Sequence, residues 1–161
     1  MSEQINSPWR HVQDAIAERI ADLSAWGGPK VLDVVRSDEG DMLNKLRKML
    51  LKSKIGVMIA TPAARPREEH PYLIDVTVTL DVIENVSINR GNRADQHTGS
   101  DLVWILLKSL VFDREWRGAD GQERPGQPFE FNAVELVEQE DPRLQVHELQ
   151  LTTSMVLVPQ A

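Results

Sequence analysis

The chain has 161 residues, with 18 basic against 25 acidic side chains for a formal net charge of −7, and no cysteine. This length suits one domain that buries a sizeable core without a covalent staple. The missing cysteine excludes disulfides, a thiolate nucleophile and cysteine-ligated metal, and the acidic balance argues against general affinity for nucleic-acid phosphates while leaving room for a local basic patch.

The opening Met1-Ser2-Glu3-Gln4 lacks a basic region followed by an apolar one, so no signal peptide is expected. No apolar run approaches the 18 or so residues that span a bilayer, and a soluble protein made in the cytoplasm is expected. Ser7-Pro8 predicts a helix start, with Ser as cap and Pro at the first helical position. Val12, Ile16, Ile20 and Leu23 then form one apolar stripe at helical spacing, and Gly27-Gly28-Pro29 ends it. Val31 to Val35 predicts a short strand.

Ser37 to Asp41 opens a second predicted helix, with Leu43, Leu46 and Leu50 as its stripe. Lys45, Arg47, Lys48, Lys52 and Lys54 crowd the same segment. Acid at its start and base at its end suit the helix dipole. These cations have three readings: a solvated face, a contact with an acidic surface of a neighbouring copy, or a contact with nucleic acid. No aromatic residue interleaves with them, as a groove for single strands would require.

Ile55 to Ala60 predicts a buried strand, and residues 61–71, with three prolines and Arg65, Arg67, Glu68 and Glu69, a long polar loop. Tyr72 to Ile88 then alternates over 17 residues. Tyr72, Ile74, Val76, Val78, Leu80, Val82, Val86 and Ile88 form an apolar face that only Glu84 interrupts, while Asp75, Thr77, Thr79 and Asp81 point the other way. Fully extended, this is roughly 55 Å of strand, longer than a domain of this size is wide. It therefore bends near Glu84-Asn85 or projects beyond the body toward a partner.

Asn89-Arg90-Gly91-Asn92 is a turn signal, with Arg93 just beyond. Thr98 or Ser100 caps a third helix with Leu102, Ile105, Leu106 and Leu110 on its inner face and Trp104 on its flank. Residues 113–127 read as a second long loop, of a length that in a compact domain marks function or mobility. It carries Arg114, Trp116 and Arg117. A Trp between arginines suits an interface anchor, or else the loop folds back and buries the ring. Phe129 and Phe131 begin another strand whose apolar parity flips to Val134 and Leu136, the signature of a β-bulge or bend. After the Asp141-Pro142-Arg143 turn a last strand runs from Leu144 to Val158. Its inner face is Leu149, Leu151, Met155 and Leu157. The opposite parity of Leu144 and Val146 predicts a bend near His147.

Paired strands separated by single helices predict one α+β domain spanning residues 1–161. Its sheet is mixed and mainly antiparallel, with helices packed on one face, long protruding strands, and the last two strands as a hairpin. No cluster announces a chemistry. His11, His70, His97 and His147 are mutually isolated, and the polar group Asp95 to Asp101 suits a helix cap more than a catalytic triad. Gly27-Gly28-Pro29-Lys30 lacks the ending of a phosphate loop and precedes a strand. Glu68-Glu69 and Glu138 to Asp141 stand beside turns, where charge is solvated. No catalytic residue, metal or cofactor is expected, and the chain is read as not an enzyme.

The run Ile74 to Gly91, followed by the capped helix Ser100–Val111, resembles the small tail-completion proteins of tailed bacteriophages, including tail terminators and Mu-like minor tail proteins. The similarity lies in pattern and element order along nearly the whole chain. It implies a structural virion protein that caps the tail tube as a hexameric ring, ends tube polymerisation and forms the joining surface to the neck and head. The implied partners are further copies of the chain, the tail tube protein and neck or connector proteins, with DNA passing through without specific binding and no membrane. The implied location is the virion tail or neck, and the host cytoplasm during assembly. A head–tail connector or other minor tail subunit is the alternative within this class, and a monomeric protein-binding module outside it. From the residues themselves, the interface candidates are Arg65, Arg67, Arg90, Arg93, Arg114, Trp116, Arg117, Lys45 and Lys48. Replacing Trp116 by Ala weakens assembly if its loop is an interface.

Overall fold

In the computed structural model, residues 8–21, 23–29, 33–36, 55–89, 97–113 and 129–156 are described. Helix α1 (Pro8–Ala21) starts at the expected proline. It is followed by a 3-10 turn, Leu23–Trp26. That turn closes with two paired hydrogen bonds: Gly27 N–H donates to Ser24 O and Gly28 N–H to Leu23 O. This is the double bond of a glycine-terminated helix end, and Gly27 takes the left-handed conformation it needs, φ +81°. A side chain at Gly28 would lie 2.9 Å from Leu23, so both glycines have structural reasons.

Among the described residues, six strands form one sheet: β1 (Asp33–Arg36), β2 (Ile55–Ile59), β3 (Ala63–Arg67), β4 (His70–Asn85), β5 (Glu130–Val137) and β6 (Leu144–Val156). The order is β1-β2-β4-β6-β5, with β3 also on β4. β1 runs parallel to β2 and every other pair is antiparallel. This is the expected α+β fold with a mixed, mostly antiparallel sheet. Two helices follow β4: the single turn α2 (Val86–Asn89) and α3 (Gly99–Leu107). A π-helical turn, Lys108–Phe112, prolongs α3.

The long alternating strand exists. Ile74, Val76, Val78, Leu80 and Val82 are all at most 3% exposed and pack against Val12, Ile16, Ile20, Leu102, Leu106 and Leu110 of the helices. The helices thus cover one face of the sheet. The strand's length is accommodated in two ways. β6 pairs with it from Leu73 to Asn85, while β2 and β3 share its other edge end to end. The strand also stops at Asn85, where the chain turns into α2, so Val86 and Ile88 are helical and not part of the apolar strand face. The end built from β3, β4 and the last residues of β6 reaches past the registers of β2 and β5.

Two expectations need correction. Residues 61–71 are not a long loop. They hold strand β3, a two-residue turn at Glu68-Glu69 and the start of β4. β3 shows no apolar alternation because it is an edge strand whose residues are mostly exposed, and an edge tolerates Pro66 because a missing N–H there costs no internal ladder bond. Nor does β6 bend at His147, since its register with β4 is unbroken from Leu144 to Val156. The parity change has another cause. Val146 pairs with Ile83 on the face away from the helices, and both are buried there, at 9% and 7% exposure. The predicted bulge in β5 is present, a register shift between Phe131 and Ala133. The second predicted helix, the loop 113–127 beyond Asp113, and the strand beyond Val156 lie outside the described residues.

Candidate interaction surface

β5 is an edge strand, paired only with β6 among the described residues. Its register puts Phe131 opposite Leu151, Val134 opposite Leu149 and Leu136 opposite His147, on the helix-bearing face. Helix α3 lies over β4 and β6 and does not shelter β5. Phe131 is therefore 49% exposed, Val134 36% and Leu136 61%. The Trp104 ring, itself exposed, meets Phe112 edge to face with centroids 5.9 Å apart. Phe112 and Phe131 share the wall of one cleft. An apolar strip thus runs from the flank of α3 onto the sheet edge. Exposed large side chains in a contiguous row mark contact surfaces, and an open strand edge adds unpaired backbone groups beside them.

The cleft, of about 630 Å³, lies where β5 begins, and Phe112, Phe129, Phe131, Arg67, Asp75 and Ser154 are among the residues that line it. Arg67 Nε and Nη2 donate to Asp75 at 2.8–3.1 Å, and Nη2 also donates to Ser154 Oγ at 2.9 Å. Ser154 Oγ in turn donates to Asp75 Oδ1 at 2.9 Å. The hydrogen bond from Arg67, then that from Ser154, holds the Asp75 carboxyl below the usual carboxylate range. Arg67 is raised in return, chiefly by its bond to Asp75.

The face away from the helices carries Thr77, Thr79 and Asp81 of β4, as the alternation predicted. Asp81 stands opposite Glu148, which stands opposite Glu135. Three carboxylates thus cross three neighbouring strands, an arrangement that directly opposed like charges make costly. Burial first, then Glu148, pushes the Asp81 carboxyl up to about 6, and its Oδ1 is buried with no hydrogen-bond partner.

Glu84, the one interruption in the apolar face, is fully buried. It accepts from Asn89 Nδ2 at 2.6 Å and from the Gly99 N–H at 3.0 Å. Asn89 also donates to the His97 carbonyl at 2.8 Å. Thr98 caps α3, its hydroxyl accepting from Asp101 N–H at 3.2 Å while the Asp101 carboxylate accepts from Thr98 N–H at 2.9 Å. That reciprocal box realises the expected capping role of the polar group before α3. It gives these residues a structural task.

Of the residues chosen from sequence, Arg65 and Arg67 are exposed on β3, and Arg67 is committed to Asp75. Arg90, Arg93, Arg114, Trp116, Arg117, Lys45 and Lys48 lie outside the described residues. Sequence reasoning did not single out Phe131, Val134, Leu136 and Phe112 as exposed. The available signal was the parity flip in β5 combined with its position next to the last strand. Among the described residues no three His, Asp or Glu side chains are grouped to hold a metal, and no helix is long and apolar enough to cross a membrane. Comparison of the chain with models of known protein families and with curated protein sequences finds no match.

Proposed function

We propose that this chain is a structural assembly subunit, of the kind that completes a bacteriophage tail: a non-enzymatic, cofactor-free ring protein that caps the tail tube, ends its polymerisation and presents a joining surface to the neck. The observation that carries the assembly reading is the exposed apolar row Phe131, Val134 and Leu136 on the open edge of β5. An isolated globule gains nothing from it, whereas a subunit buries it on contact. The tail assignment is supported by the resemblance of residues 74–91 and the capped helix after them. The partners in this reading are further copies in a hexamer, the tail tube protein and connector proteins. The net charge of −7 suits a ring through which DNA slides without sticking. The protein then resides in the virion tail or neck.

A second reading, a monomeric protein-binding module, is favoured by the cleft lined by Phe112, Phe131 and the Arg67–Asp75 pair, which sets a few aromatic side chains among mostly polar ones. Light scattering after size exclusion, followed by addition of purified tail tube ends, separates the two. A discrete species near six times 18.2 kDa, or binding confined to tube ends with arrest of their growth, supports tail completion. A monomer that ignores tube ends refutes it.

A further inference from the structure

Resting on the ring reading, we propose that successive copies meet head to tail through unlike edges of their sheets: the β3 edge of one copy packs against the β5 edge of the next, with Arg65 of the first set against Glu135 of the second.

The two edges lie on opposite sides of the sheet. β5 is outermost beyond β6, and β3 stands on the far side of β4. On that side β2 is covered by β1, whereas β3 pairs only with β4 among the described residues and is mostly exposed. The two edges match face by face. Away from the helices, β3 presents Arg65, opposite Asp75, and β5 presents Glu130 and Glu135, opposite Thr152 and Glu148. Asp75 is already engaged by Arg67, so the exposed Arg65 has no ion pair among the described residues. Glu130 acts on Arg67 of its own copy. Glu135 instead ends the carboxylate row that starts at Asp81 and crosses Glu148, with no cation paired to it among the described residues. A guanidinium at the end of that row offsets its repulsion. On the helix-bearing face β3 presents Ala64 and Pro66, opposite Val76 and Ile74, and β5 presents its exposed apolar row.

The sign of charge decides which edges meet. Two β5 edges would bring two acidic strands together, and two β3 edges two arginine-bearing ones. Only unlike edges set opposite charges against each other. A contact between unlike edges is heterologous: every copy keeps the same way up, and a ring closed through it has two different faces. A ring that caps a tube on one side and meets a neck on the other requires that. Arg65 is level with Asp75 and Glu135 with Asp81, six positions apart along β4. Successive copies are therefore displaced by roughly 20 Å along the strands, which run oblique to the ring axis. The same displacement carries β5 clear of β1, which is level with Leu80 to Ile83. Pro66 removes a donor from β3, so side chains, and not an unbroken backbone ladder, carry the contact.

One-sided variants of the full chain read the direction of the contact. Phe131→Ser with Leu136→Ser disables the β5 side and keeps β3. Arg65→Glu disables the β3 side and keeps β5. Circular dichroism and melting verify that each is folded, and sedimentation velocity gives the masses. Each variant alone is expected to self-associate at least about tenfold more weakly than wild type. Mixed in equal amounts where wild type is assembled, the two retain one intact pair of edges and are expected to stop at a heterodimer near twice 18.2 kDa. Arg65→Glu combined with Glu135→Arg in one chain is expected to regain larger assemblies. Wild-type association by folded Arg65→Glu overturns the proposal, as does a mixture that yields no heterodimer. Failure of the charge-swapped chain to regain assembly overturns the Arg65–Glu135 pair. In each of these cases an oligomeric wild type leaves the tail reading standing. A wild type that is monomeric at every concentration refutes the contact, and the tail reading is decided separately by the tube-end experiment.

Discussion

The Glu84 carboxylate accepts the backbone N–H of Gly99 in a buried hydrogen bond of 3.0 Å, joining the end of the longest strand to the first turn of the helix that covers it. A Cβ at Gly99 would come within 3.0 Å of His147 Nδ1 and 3.5 Å of Glu84 Oε1, so the glycine is what allows this approach. Replacing Glu84 by Ala removes the acceptor of the Gly99 N–H and one of the two acceptors of the Asn89 amide, which keeps the His97 carbonyl. The expected loss is about 2–4 kcal/mol, read as a lower denaturation midpoint at unchanged m-value. A loss under roughly 0.5 kcal/mol would mean that the joint is not structural.

Asp81 sets a pH dependence. Its folded pKa of about 6 lies above the ordinary aspartate value of about 3.9, so between those values the folded state binds more protons than the unfolded one. Its penalty is therefore fully present above about pH 6 and fades as pH falls toward 4. Asp81→Asn is expected to stabilise the fold at pH 7–8 by about 1 kcal/mol, a figure reduced for the solvent-exposed part of the side chain. Urea unfolding of both proteins at pH 4 and pH 8 checks this. An equal difference at the two pH values would refute it.

The Arg67–Asp75 pair is solvent-facing, and its expected signature is titration. The pair keeps Asp75 ionised to lower pH than an ordinary carboxylate, so whatever stability it adds is present above the ordinary pKa and is lost as pH falls through the lowered one. Replacing Arg67 by Ala should move the Asp75 titration up toward the usual range, followed by carboxyl carbon NMR. An unmoved titration would show that Ser154 and the site itself, and not Arg67, depress it.

Phe131 is nearly half exposed and Leu136 more than half, so Phe131→Ser with Leu136→Ser should shift folding stability little, within about 1 kcal/mol for the pair. Self-association should weaken by at least about tenfold, since the row supplies the apolar contact. Sedimentation equilibrium beside thermal melts separates the two effects. A large drop in melting temperature with unchanged association would place the row in the fold and not in the interface.

Much of the architecture was legible because burial leaves a periodic trace. Val12, Ile16 and Ile20 at helical spacing, and Ile74 to Val82 at period two, face the same core from opposite sides. The Thr98 cap and the β5 bulge were legible for the same kind of reason, since local hydrogen bonding and a break in alternation leave marks on neighbouring residues. β3 was not legible. An edge strand buries no continuous face, so Ala63 to Arg67 carries no alternation, and its proline and arginines match those of a loop. The bend expected at His147 was misplaced because a parity change has two causes, a bulge or burial on the second face, and only the partner Ile83 distinguishes them.

The sequence by itself determined the α+β class, the helix-covered face and the absence of any disulfide, because these follow from residue type and spacing along the chain. Only the tertiary structure decided that β5 lies at an edge, that Phe131, Val134 and Leu136 stay outside, that Arg67 is engaged by Asp75, and that Glu84 is a buried joint. Those are relations between strands distant in sequence. Whether an apolar face is covered depends on which element packs over it, and α3 reaches β4 and β6 but leaves β5 open.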